Sequence, residues 1–226
     1  MDNGFSRKAL IAELVIVTVT ALVFSRTAFS LRSINFIDSA LPLIVAVIFL
    51  YMPILALWIR RRRIDFLDDS LRRYLKSFLI FLVAAIIVFP VFGVGAHFWQ
   101  LWVFKYRGFA AAGFPELLNA ILFQVFLVAL PEEFFFRGYF QSALDSLMKK
   151  RWNVFGAKLG WAWLITALVF AAAHTIVFYQ WWHFAIFFPA LLFGYLRERT
   201  GSITAPVLFH ASSNLFMNWF ARSYYA

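Results

Sequence analysis

Leu117 to Leu147 reads LLNAILFQVFLVALPEEFFFRGYFQSALDSL, an apolar run long enough to cross a hydrocarbon core about 30 Å thick, which takes about 20 helical residues. Yet Glu132, Glu133 and Arg137 sit near its middle. A charge at the centre of a lipid-bound helix costs roughly 2.5 to 3.5 kcal/mol, while a Leu, Ile, Val or Phe there gains only about 0.3 to 0.6 kcal/mol. Two ionised glutamates would nearly cancel the gain of the whole run. They must therefore turn inward to partners on other helices, so the run implies a bundle rather than a single span.

The rest of the chain supplies that bundle. Of 226 residues, 63% are hydrophobic and only 14% charged, whereas a soluble domain is nearer half apolar and a quarter charged. Apolar runs bounded by charge, Pro or Gly predict seven helices, near Ala9–Val23, Leu41–Ile59, Leu75–Phe92, Leu117–Leu147, Leu159–Val177, Phe184–Leu196 and Ile203–Phe220. The expected fold is all-α, a polytopic transmembrane helix bundle of about seven spans, with one membrane domain over residues 1–226 and a polar active site inside the bilayer. After the first run come Phe24, Ser25 and Arg26 rather than a small-residue cleavage site, so that run is expected to stay as a span. Most of the 30 phenylalanines are expected to face lipid or neighbouring helices.

The formal charge of +10 is not a nucleic-acid signature, because the basic residues lie in short runs between apolar segments. With a cytoplasmic amino terminus, fifteen fall inside, including Arg60–Arg63, Arg72, Arg73, Lys76, Lys149–Arg151 and Arg199. Five fall outside: Arg26, Arg32, Lys105, Arg107 and Arg222. That asymmetry predicts an amino end inside and a carboxyl end outside a cell membrane, expected to be prokaryotic, with anionic lipids as partners and no nucleic acid. Phe98, Trp99, Trp102, Tyr106, Tyr179, Trp181 and Trp182 are assigned to the outer connections as headgroup anchors, with His97 and His183 beside them as interfacial residues. The absence of cysteine removes disulfides and thiolate chemistry.

Helical spacing groups the remaining polar residues. Glu133 and Arg137, four apart, share a face and can pair, leaving Glu132 about 100° away as the candidate reactive carboxylate. Phe170 and His174 share a face of the fifth run, and His210 and Asn214 share one of the seventh. Counted at 1.5 Å per residue from Lys149, Lys158 and Thr200, Glu132, His174 and Asn214 lie ~25, ~24 and ~21 Å deep and His210 ~15 Å. A carboxylate and an imidazole that activate water, facing side-chain donors for an oxyanion, are the parts of a peptide-bond hydrolase. Glu132, His174 and His210 would alternatively serve as zinc ligands, although the chain has no H-E-x-x-H and Asn suits a donor role better than a ligand role. A proton-coupled transporter is another class that places such groups in a membrane, while a non-proteolytic membrane scaffold or immunity factor, the remaining alternative, gains little from such costly buried charges.

Glu132, Glu133 and Arg137 in E-E-x-x-x-R, Phe170 and His174 in F-x-x-x-H, and His210 and Asn214 in H-x-x-x-N occur in the order found in the CPBP family, the Abi or type II CAAX prenyl proteases. The approach Thr200, Gly201, Ser202, Ile203, Ala205 and Pro206 also resembles that family, over a core of roughly residues 117–220. The resemblance implies an intramembrane endopeptidase acting on a membrane-anchored protein or peptide. It implies that Glu132 and His174 activate water, that His210 and Asn214 stabilise the oxyanion, and that Glu133 and Arg137 support them. It favours a metal-free mechanism and does not identify the substrate.

Overall fold

The structure, a computed structural model, describes residues 6–114 and 116–225. Seven helices follow in order: α1 Arg7–Ser30, α2 Asn35–Ile59, α3 Leu71–Trp102, α4 Leu117–Leu147, α5 Trp161–Phe178, α6 Phe187–Thr200 and α7 Thr204–Arg222. The first five are long and apolar enough to cross a membrane. Helix α6 has 14 residues, ~21 Å at 1.5 Å each, and α7 carries the polar residues of the last motif.

Helix α4 is the central element, touching α2, α5, α6 and α7. Aromatic edges lock it in place: Phe135 meets Phe49 of α2 at 5.0 Å, and Phe136 meets Phe170 of α5 at 4.8 Å, the T-shaped geometry that ring quadrupoles favour. Two stretches of α4, Gln124–Ala129 and Phe134–Gln141, have the wider π-helical hydrogen-bond pattern and flank the two glutamates; such segments are frequent at functional sites. Helix α3 lies at the edge and buries only Ser77 among its residues. Phe89 stacks on Phe209 and Phe216 of α7, and most of the rest of α3 is left for lipid.

Four expectations need correction. Helix α3 runs ten residues past Phe92, so Phe98, Trp99 and Trp102 lie in its last turns rather than in a connection. Helix α1 extends to Ser30, beyond the predicted Val23. Between α4 and α5 the basic connection folds into an antiparallel hairpin, β2 Lys150–Val154 with β3 Ala157–Gly160, turning at Phe155 and Gly156 with φ of 43° and 81°, the pair of positive values a tight two-residue hairpin requires. A second short pairing, β1 Gly108–Phe109 with β4 Tyr224–Tyr225, ties the carboxyl-terminal residues to the α3–α4 connection.

The fourth correction concerns depth. The turn Thr200–Ile203 packs into the protein: Ser202 and Ile203 are buried, and the Ile203 N–H donates to the Phe66 carbonyl at 3.0 Å. The Thr200 hydroxyl accepts from the Ser202 N–H, and Gly201 takes φ 77°, a left-handed value that glycine adopts without a Cβ penalty. Helix α7 therefore starts inside the protein. His210 Nε2 lies 3.9 Å from Glu132 Oε2, so the two side chains meet at one level, where counting from Thr200 set His210 ~10 Å shallower.

Candidate active site

Glu133 and Arg137 are both fully buried, with Arg137 Nη1 3.0 Å from Glu133 Oε1. Arg137 Nη2 donates to the Ala190 carbonyl of α6 at 3.1 Å. The guanidinium lies 4.2 Å from the ring centre of Phe170 and 5.1 Å from that of Phe193, so α5 and α6 both contribute to its solvation. Removing one partner of such a buried pair costs about 3–5 kcal/mol, because the other charge is stranded.

Glu133 has a second partner. His210 Nδ1 lies 2.9 Å from Glu133 Oε1; a carboxylate already facing a guanidinium is an acceptor, so Nδ1 carries the proton and Nε2 carries the lone pair of the neutral ring. The same reasoning applies to His174, whose Nδ1 is 2.9 Å from the Phe170 carbonyl. A carbonyl only accepts, and Nε2 is again left free. Both Nε2 atoms point to one place: Glu132 Oε2 is 3.6 Å from that of His174 and 3.9 Å from that of His210. This carboxylate oxygen is buried and has no hydrogen-bond partner.

Asn214 is placed differently. One turn beyond His210 on α7, its amide Nδ2 donates to Gln124 Oε1 at 2.9 Å, which leaves its second amide hydrogen free. Gln124 opens the first π stretch of α4 and was not singled out by sequence reasoning, though a lone amide two turns before Glu132 in an apolar run was a usable signal. A cavity of about 640 Å³ adjoins it, lined also by Glu116, Asn119, Asn218 and Arg222. His97 pairs with the Tyr224 hydroxyl at 2.6 Å. His183 meets Phe178 edge-on at 5.1 Å; burial, and then the proximity of His174, lower its pKa.

As for a metal, no three His, Cys, Asp or Glu side chains among the described residues are arranged to hold an ion. The contacts of Glu132 with the two imidazoles exceed hydrogen-bond length. Two imidazole nitrogens and a carboxylate oxygen facing each other present converging lone pairs, an arrangement that takes a proton donor such as water or a cation.

The fold and site together define an integral membrane helical bundle that encloses a carboxylate–imidazole centre. Residues 114–216, which contain all three motifs, match the family model described as type II CAAX prenyl endopeptidase Rce1-like. Over this segment, a little under half of the chain, the protein is similar to the type II CAAX prenyl endopeptidases. No curated protein and no solved structure gives a significant match.

Proposed function

We propose that the protein is an intramembrane endopeptidase in which Glu132 and His174 activate a water molecule against a peptide bond of a membrane-anchored substrate. The observation that carries this reading is the buried, unpartnered Glu132 oxygen facing two imidazole Nε2 atoms, 3.6 and 3.9 Å away. A water molecule donating to Glu132 and to His174 loses one proton as its oxygen attacks the carbonyl carbon. The tetrahedral intermediate then expels the amine, which takes that proton back. Asn214 offers its free amide hydrogen to the oxyanion. His210 becomes a donor there only as an imidazolium, a charge that the Glu133 carboxylate offsets. Glu133 and Arg137 act by holding His210.

The test compares membrane-protein amino and carboxyl termini in cells carrying the wild type with those carrying Glu132→Gln. New termini present only with the wild type are expected. Identical termini in both strains would overturn the hydrolase reading and favour the scaffold alternative. Cleavage by purified protein that survives chelation would separate the glutamate mechanism from zinc held by Glu132, His174 and His210.

A further inference from the structure

On the edge of the bundle, a groove of about 760 Å³ runs between the first turns of α3 and the end of α6, lined by Leu71, Leu75, Leu79 and Ile80 and by the apolar stems of Arg72, Lys76 and Arg199, whose charged ends lie at its rim. The leucines are 74%, 48% and 59% exposed, so something apolar must cover them in a membrane. The cations set this groove apart from the rest of the lipid-facing surface. Neighbouring charges are already paired: Arg73 with Asp68 and Asp69, Lys150 with Asp145 and Glu198. Arg72, Lys76 and Arg199 form no ion pair among the described residues. Arg72 and Lys76 are one turn apart on α3, as are Leu75 and Leu79, so a charged row and an apolar row run side by side.

We infer that this groove binds one anionic phospholipid, its phosphate held by Arg72, Lys76 and Arg199 and an acyl chain lying along Leu75, Leu79 and Ile80. A neutral, zwitterionic lipid covers the leucines equally well but brings its own cation to three others. A free phosphate satisfies the cations and leaves the leucines bare. An anionic lipid meets both demands, and by joining α3 to α6 it braces the helix whose Ala190 carbonyl receives Arg137.

Thermal unfolding of the purified full chain in nonionic detergent tests this with three probes: phosphatidylglycerol, phosphatidylcholine with the same acyl chains, and inorganic phosphate. A concentration-dependent rise in Tm is expected with phosphatidylglycerol alone, as binding to the native state requires. Native mass spectrometry should show one retained copy. Combining Arg72→Gln, Lys76→Gln and Arg199→Gln should weaken the apparent affinity tenfold or more, while Arg62→Gln, Arg63→Gln and Arg151→Gln, which remove the same charge elsewhere, should not. If the first combination fails to fold, Arg72→Gln and Lys76→Gln singly, both at exposed positions, carry the comparison. Equal shifts with both lipids, a shift with phosphate, or equal losses in the two sets of variants would overturn the site.

Discussion

Glu132 and Glu133 are adjacent, chemically identical and differently employed. Glu133 gives one oxygen to both Arg137 and His210, whereas Glu132 gives its buried oxygen to nothing in the protein. The distinction follows from 100° of helical rotation, which aims one carboxylate at Arg137 and at His210 of α7 and the other at the space between two imidazoles. Asn214 depends on a similar division of duties, because Gln124 fixes the direction of its amide. On a substrate found by comparing termini, Asn214→Ala should lower kcat by about 10²–10³ with little change in KM, the loss that follows removal of an oxyanion donor. Gln124→Leu should lower kcat less, and Gln124→Glu, which keeps an acceptor oxygen, should recover most of it. A change confined to KM would place these amides in substrate binding instead.

At the scale of elements, close packing rather than charge decides what α4 tolerates. A Cβ on Gly138 would sit 2.4 Å from Cε2 of Phe66, a ring only 2% exposed and wedged edge-on against Phe134 at 5.1 Å. Gly138→Ala is expected to cost about 1–3 kcal/mol as overpacking, read as a lower Tm of the purified protein. Gly95→Ala, where a Cβ meets nothing within 4 Å, should leave Tm unchanged or raise it. The helices were legible in the sequence because lipid demands long apolar runs, and the pairing of Glu133 with Arg137 was legible because four residues make one turn. Gln124 facing Asn214 was not, since 90 residues separate them and only the tertiary fold brings them together. The hairpin after α4 was masked by Lys149–Arg151, whose charge marked a membrane boundary while Trp152, Val154 and Phe155 carried the strand and turn signal.

For the molecule as a whole, seven helices put the α2–α3 connection and the hairpin on one face and the α3–α4 connection on the other. From the excess of Arg and Lys in the first two, we propose that this face is the cytoplasmic one. The natural chain has no cysteine, so single introduced thiols report sidedness cleanly. Phe104→Cys, at an exposed position of the α3–α4 connection, should react with an impermeant maleimide in intact cells. Arg62→Cys and Phe155→Cys should react only after permeabilisation, and the opposite pattern would invert the molecule in its membrane.

The wide turns of α4 bear on the number of residues as well as on their kind. A π-helical stretch holds more chain than a regular spiral would place there. Deleting one residue between 134 and 141 would let the stretch tighten to a regular spiral with the turns on either side still in phase, whereas a deletion from a regular helix swings everything before it by about 100° relative to everything after it. A one-residue gap along this stretch is therefore expected to be absorbed with Glu132 still facing the imidazoles, where the same gap in the regular turns of α5 would turn His174 away.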